Sequence, residues 1–135
     1  MGRVLTYQGI EGILLSEFPE LWTPLEKTFG SYYDLKVEKP EAFPIFEDVL
    51  KRYLFGLLDL GGDDPFLPRI FLFLEQMARS ADRNLTDLLG IAILEPLVSE
   101  RHLVRRAWMY MGEKTKALAI EDARYRGCLS NLSPA

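Results

Sequence analysis

The sequence has few of the residues from which enzymes and metal sites are built. Its 135 residues include one cysteine, Cys128, and one histidine, His102. A single cysteine excludes a disulfide within the chain, and zinc or copper sites need several converging ligands. No phosphate-binding glycine loop is present, because Gly61-Gly62 is followed by two aspartates and lacks the lysine of such loops. We therefore expect no cofactor, no metal and no enzymatic activity.

The charge and hydropathy of the sequence argue against two further classes, nucleic-acid-binding proteins and membrane proteins. Residues 1–65 carry 12 acidic and 6 basic side chains, and residues 66–135 carry 8 and 10, for a net charge of -4. Nucleic-acid binding favours a basic surface, whereas an acidic half suits a basic protein partner. No apolar run is long enough to cross a bilayer, and the N-terminus lacks the pattern of a signal peptide. We predict a cytoplasmic protein whose partners are neither nucleic acid nor membrane.

Apolar residues recur at three- and four-residue spacing along most of the chain, which is the period of an α-helix. The clearest stripe predicts a helix over residues 42–60 that Gly61-Gly62 ends. Further helices are expected from Asp63-Asp64-Pro65 to about Ser80, from about Leu85 to Leu94 after a cap at Asp82 or Asn84, from Ser99, and from Thr115 to before Gly127. Pro96 is expected to kink or end the helix that begins near Leu85. No stretch alternates as a strand does.

The two ends of the chain are less regular. Two short helices, over residues 10–18 and 21–29, are expected on either side of Pro19, and residues 35–37 form a candidate extended segment. Residues 128–135 are expected to be a frayed tail. The sequence thus predicts a single all-α domain over residues 1–135, with about six or seven helices.

An internal repeat bears on how the helices pack. The segments IFLFLEQMA, residues 70–78, and GIAILEPLV, residues 90–98, share a pattern at an offset of 20. This favours antiparallel helix pairs stacked as in HEAT or armadillo proteins, with an irregular helical bundle as the alternative.

Both copies of the repeat contain a glutamate, Glu75 or Glu95, within an apolar segment. A carboxylate in such a place is costly unless it is paired. The candidate partners are Arg69, Arg79, Arg105 and Arg106. Ion pairs between helices are therefore the structural interpretation, partner recognition is a second, and acid–base catalysis is a third.

The acidic first half supplies candidate partner-binding residues around the helix over 42–60 and the turn that follows it. They are Glu38, Glu41, Glu47, Asp48, Asp59, Asp63 and Asp64, with Phe66 at the start of the next helix. An aromatic side chain beside acidic groups can anchor a protein partner, although a run of charges is more often a solvated face.

A larger pattern spans residues 43–120. It consists of Phe73-Leu74-Glu75, a turn with Asp82 and Asn84, Leu94-Glu95, and a helix start at Gly112-Glu113-Lys114-Thr115. In this pattern the chain resembles the small helical immunity proteins encoded beside bacterial polymorphic toxins. It departs from their usual form at Glu113, where proline commonly follows the glycine.

The resemblance implies a cytoplasmic antitoxin that binds one cognate toxin domain and blocks its active site or substrate access. Toxins of this kind are delivered by contact-dependent or type VI secretion, often on Rhs carriers. One rival hypothesis is a helical adaptor or oligomerisation subunit of a bacterial complex. The other is an enzyme that uses Glu75 or Glu95.

Overall fold

The computed structural model describes residues 4–133, and within that range it contains seven helices and no strand. The helices are α1 (Ile10–Glu17), α2 (Trp22–Phe29), α3 (42–60), α4 (Phe66–Ala78), α5 (83–98), α6 (Arg101–Trp108) and α7 (Glu113–Tyr125). Two 3-10 turns, Pro19–Leu21 and Leu129–Leu132, precede α2 and follow α7. The all-α prediction is confirmed. No helix in the described range is both long and apolar enough to cross a membrane.

Each of the two longest helices contains a π-helical segment. In α3, Ile45–Lys51 is π-helical and lies between the α-helical parts Ala42–Pro44 and Arg52–Leu60. In α5 the π segment is Gly90–Leu94. The two π segments pack against each other. Such segments are rare and are often found at functional sites.

Aspartate caps fix the starts of α4 and α5. Asp64 Oδ1 accepts the N–H of Phe66 at 2.9 Å, and Asp82 Oδ1 accepts the N–H of Asn84 at 3.0 Å. Each bond satisfies an N–H that has no partner within its own helix. The other oxygen of Asp82 accepts the N–H of Tyr7 at 2.8 Å, which ties the segment before α1 to the start of α5.

Three local expectations need correction. Pro96 does not end α5, which continues to Val98. The proline lies early in the last α-helical part, directly after the π segment, where the backbone is already locally widened. Residues 35–37 are a turn and not an extended segment, because the N–H groups of Val37 and Glu38 donate to the Asp34 carbonyl. The Asp34 side chain supports this turn by accepting the N–H of Lys36, as aspartate commonly does.

The third correction concerns the tail, which is ordered as far as Ser133. Its 3-10 turn is held on the bundle by Asn131, whose side-chain amide donates to the Val98 carbonyl at 2.9 Å. The rest of the expected frayed tail, residues 134–135, lies outside the described residues.

One apolar core joins all the long helices, with buried side chains from Leu5 to Ala123. Helix α5 packs against α3, α4, α6 and α7, and in addition α3 contacts α6 and α4 contacts α7. In a solenoid each repeat contacts only its neighbours, whereas here helices three apart in sequence touch. The packing is that of an irregular helical bundle.

Candidate functional site

The turn after α3 is built by a glycine and an arginine. Gly61 has φ 74°, a left-handed conformation that favours glycine, and its N–H donates to the Leu58 carbonyl. Arg106 of α6 reaches this turn and donates to the carbonyls of Leu58 at 2.8 Å and Asp59 at 2.6 Å. Arg106, a candidate for an ion pair, therefore binds the C-terminal carbonyls of a helix, where a cation is favourable.

Two large apolar side chains lie uncovered beside this turn. Leu60 is 82% exposed and Met109 is 77% exposed. Met109 lines a hollow of about 90 Å³ together with Gly61, Gly62, Asp63, Leu67 and Arg106, and Leu60 directly precedes Gly61 in the chain. Asp59, Asp63 and Asp64 are exposed at the same turn. We call this set, Asp59–Asp64 with Met109, the glycine-turn surface.

The glycine-turn surface is held in place by noncovalent contacts with two side chains of α6. Besides the Arg106 bonds, His102 Nε2 lies 3.0 Å from Asp59 Oδ1. A Cβ added to Gly61 would lie 3.3 Å from the Arg106 guanidinium carbon, so the turn and the arginine fit closely. The surface is thus formed before any partner arrives.

Phe66 does not belong to this surface. It is 1% exposed and packs edge-on against the rings of Tyr53 and Phe18, with centroid distances of 4.8 and 5.4 Å. The Asp64 cap turns the first residues of α4 toward the core, so the prediction that Phe66 contacts a partner is wrong.

The remaining acidic candidates lie elsewhere. Glu38 and Glu41 are exposed in the connector before α3, and Glu47 and Asp48 are half-buried in its π segment. Helix α3 has nineteen residues and spans roughly 25–30 Å. The fold therefore divides the predicted acidic set between the two ends of α3 and does not bring it together.

A second acidic region lies at the junction of the two π segments. A hollow of about 240 Å³ is lined by Glu47 and Lys51 of α3, by Ile91 and Glu95 of α5, and by Arg126. An adjoining hollow of about 160 Å³ shares Ile91 and Glu95 and adds Asp87, Glu121 and Asp122. We call the two together the π-junction hollows.

Burial raises the pKa of Asp122 in the second of these hollows to about 6, and the nearby carboxylates of Glu95 and Glu121 add to the effect. Glu95 itself is paired with Arg126 at 2.9 Å. A carboxyl group that titrates near neutrality can serve acid–base chemistry. The catalytic hypothesis named Glu75 or Glu95, and the sequence did not draw attention to Asp122. Among residues 4–133 no cluster of His, Cys, Asp or Glu side chains could hold a metal ion.

Glu75 caps the N-terminus of α7. Its Oε1 accepts the N–H of Thr115 at 2.9 Å and the Thr115 hydroxyl at 2.8 Å, and its Oε2 accepts the N–H of Lys114 at 3.1 Å. Arg79, the residue directly after α4 and four positions from Glu75, donates to the same Oε2 at 2.8 Å. The ion pair is thus local to the end of α4, and the contact between helices is a cap.

The electrostatics of Glu75 follow from these bonds. Burial alone raises the pKa of the carboxyl, but the hydrogen bonds from Thr115 and Lys114, together with the charge of Arg79, outweigh it and lower the pKa below its ordinary value. Gly112 leaves the space for this, because a Cβ there would lie 2.4 Å from the Glu75 carboxyl carbon. Two parts of the sequence pattern, Phe73-Leu74-Glu75 and the segment 112–115, are therefore one structural unit.

The model of the family described as a domain of unknown function, DUF7674, matches residues 12–127. The chain belongs to that family. A search of curated proteins and a search of solved structures each found no match.

The DUF7674 match includes the three candidate regions of the molecule. The glycine-turn surface, the π-junction hollows and the Glu75 cap lie within residues 12–127, whereas the turn Leu129–Leu132 lies beyond them. Two further ion-pair candidates pair elsewhere: Arg69 binds Glu20 at 2.8 Å, and Arg105 reaches the part beyond the match, where its guanidinium donates to the Ser133 carbonyl. Sequence reasoning missed Arg126, Asp122, Leu60 and Met109. Only exposure and tertiary contacts, which a single sequence does not give, identify them.

Proposed function

We propose that this chain is a non-catalytic protein-binding domain, and specifically a cytoplasmic immunity protein that binds a toxin domain through the glycine-turn surface. The observation that carries the proposal is the pair of uncovered apolar side chains, Leu60 and Met109, beside three exposed aspartates. The sequence resemblance to immunity proteins supplies the kind of partner.

The chemistry of the surface suits a basic partner. Burying a large aliphatic or thioether side chain stabilises a complex by about 1.5–3 kcal/mol. The aspartates around Leu60 give the rim a negative charge, which speeds the encounter with a cationic surface. Toxins that act on nucleic acids carry such a surface because they bind phosphates.

The rigidity of the surface also supports binding. The Arg106 bonds to the helix end and the contact of His102 with Asp59 hold the turn in place. Little conformational entropy is then lost when a partner binds, and such preorganisation raises affinity.

A helical adaptor or oligomerisation subunit is the second candidate, since the same apolar pair would also serve self-association. The two proposals differ in the partner. A second copy of this chain would present the same aspartates, so at neutral pH the rim opposes a symmetric contact through like charges. A stable homo-oligomer at micromolar concentration would favour the adaptor.

The test is co-purification with the product of the neighbouring gene, with growth rescue scored in parallel. We expect a one-to-one complex that restores growth. The double variant Leu60→Ala, Met109→Ala should weaken binding by about 100-fold, in line with the loss of two apolar anchors. The matched control is Leu72→Ala, because Leu72 is 68% exposed on α4 and lies outside the surface; it should bind as the wild type does. A neighbour that neither binds nor kills, or equal losses in both variants, would overturn the proposal.

A further inference from the structure

The connector of residues 30–41, between α2 and α3, forms one side of a groove of about 1020 Å³. The groove shares no lining residue with the glycine-turn surface. Its lining combines aromatic rings, carboxylates and lysines, among them Trp22, Glu26, Tyr32, Tyr33, Asp34 and Lys39. We call it the connector groove.

A cation already lies on one wall of this groove. The ammonium nitrogen of Lys39 lies 5.6 Å from the centroid of the Trp22 ring. This is within the range of cation–π attraction, and tryptophan is the aromatic side chain that gives the strongest contact. The Trp22 ring is half-buried at the start of α2, so the ring is part of the helical framework, while Lys39 belongs to the connector.

The other walls offer further groups that favour an ammonium ion. Tyr32 is 81% exposed at the groove, and the neighbouring Tyr33 ring is positioned by an edge-on contact with Phe29 at 6.0 Å. Glu26 and Asp34 add carboxylates to the lining. Aromatic faces combined with carboxylates are the usual surroundings of a bound ammonium group.

The segment that carries Lys39 is a non-helical part of the connector, and Lys39 itself is exposed. Its local hydrogen bonds form the turn at Asp34, five residues before Lys39. The next residues, up to the start of α3 at Ala42, form neither helix nor strand. The lysine side chain is thus the part of the groove that can leave without disturbing a helix.

We propose that the connector groove is a binding site for the lysine side chain of an extended peptide, and that Lys39 is an internal occupant which the peptide lysine displaces from Trp22. The acidic residues Glu38 and Glu41 on either side of Lys39 favour a cationic peptide. The site goes beyond the proposed function, since it needs neither a toxin nor the glycine-turn surface.

The chain provides its own matched control. Lys116 of α7 places its ammonium nitrogen 5.5 Å from the ring centroid of Trp108, at the end of α6. The two pairs have the same chemistry and nearly the same distance. They differ because Lys116 is part of a regular helix, whereas Lys39 is part of the connector.

The experiment is a titration of the full chain with acetyl-tetralysine-amide, followed through the indole N–H signals of Trp22 and Trp108 in nitrogen-15 spectra. The same peptide with every lysine acetylated is the neutral control. We expect the Trp22 signal to shift and saturate with the cationic peptide alone, while the Trp108 signal stays in place. Lys39→Gln removes the competing ammonium group and should tighten binding about threefold to fivefold, and Lys116→Gln should leave it unchanged.

Each contrary outcome overturns the proposal. Equal shifts of both indole signals would mean that the peptide only coats an acidic protein. An unchanged or weaker affinity in Lys39→Gln would mean that Lys39 packs the connector and occupies no site. Thermal unfolding of each variant shows whether the fold is kept, so that a loss of binding caused by unfolding is recognised. Lys36→Gln then repeats the peptide titration with a groove lysine that does not lie over Trp22.

Discussion

Helix α7 meets a glutamate from another helix near each end, and the two glutamates find opposite surroundings. At its N-terminus, Glu75 receives the free N–H groups of Lys114 and Thr115, where the positive end of the helix favours an anion. Near its C-terminus, Glu95 shares a hollow with Asp122 and is compensated by Arg126. The pKa of Glu75 is accordingly lowered, while that of Asp122 is raised to about 6.

This contrast shows that a repeated sequence need not have a repeated role. Glu75 and Glu95 stand at matching positions of the two related segments, each after a buried leucine. What separates them is the end of α7 that each one meets. One carboxylate stabilises the fold through a cap, and the other contributes to a region of crowded negative charge, so the comparison can be tested from either end.

The largest effect is expected from Glu75→Ala. The change removes the cap of α7 and leaves the Thr115 hydroxyl, in a fully buried residue, without its partner. Loss of charge-assisted bonds together with an unsatisfied buried group should lower the free energy of unfolding by about 3 kcal/mol. Urea denaturation of the variant and the wild type at pH 7 measures this change in the free energy of unfolding.

Two controls sharpen this first prediction. Glu75→Gln keeps the shape but loses the charge, so it should cost less than Glu75→Ala at pH 7. Because the folded-state pKa of Glu75 lies below its ordinary value of 4.5, the charge contribution to stability is present above that pH and is lost as the pH falls through the lower value.

The second control is Gly112→Ala, which should be costly alone and nearly neutral in the Glu75→Ala background, since the contact at 2.4 Å is then absent. Equal costs of Gly112→Ala in both backgrounds would contradict the close fit.

The next effect is expected at the other end of α7 and has the opposite sign. Asp122→Asn removes a partly buried anion that its neighbours repel, so we expect a gain of about 1 kcal/mol at pH 7.5, after allowance for solvent screening. The folded-state pKa is raised from 3.8 to about 6, so the wild type loses stability as the pH rises through that window. The advantage of the asparagine variant should therefore vanish below about pH 4. Thermal unfolding of both proteins from pH 3.5 to 8 measures this difference in stability. A gain that does not vary with pH would contradict the electrostatic cause.

The smallest effect is expected from Glu95→Gln. Without the Glu95 charge, the pKa of Asp122 should fall by about half a unit, because one repelling carboxylate is gone and Arg126 is no longer committed to it. Carbon-13 spectra of the side-chain carboxyl groups, recorded across pH 4 to 8, measure the change. Glu47 lines only the first hollow, so the same titration of the Glu47→Gln variant should show an unchanged pKa for Asp122.

Local sequence signals predicted the helices well and their internal geometry poorly. The stripe over residues 42–60, the aspartates before α4 and α5, and Gly61 each act within a few residues, so their consequences can be read without the fold. The π segments were not foreseen, because apolar residues four apart fit an α-helix as well. Pro96 was expected to kink or end α5 because proline lacks a backbone N–H, yet the helix continues to Val98.

Contacts distant in sequence account for the rest of the candidate site. The acidic residues around α3 are close in sequence yet lie at opposite ends of a long helix. Phe66 is buried because Phe18, directly after α1, and Tyr53 of α3 pack against its ring. Arg126 pairs with Glu95 across 31 positions, and Met109 lines a hollow with Gly62. The periodicity of a single chain carries no information on which helix ends meet.

The π segments also determine where the gene can tolerate a change in length. A π turn closes its hydrogen bond one residue later than an α turn, so each segment takes up one extra residue. Loss of one codon within residues 45–51 would therefore restore an α-helix and leave the remainder of α3 facing the same way, whereas loss of residue 52 or 53 would rotate the residues that follow by about 100°. Leu54 and Leu58, which are at most 1% exposed, would turn away from the core in the second case only. Single-residue deletions should therefore be tolerated in the connector of residues 30–41 and within the two π segments, and be selected against in the α-helical parts of α3 and α5.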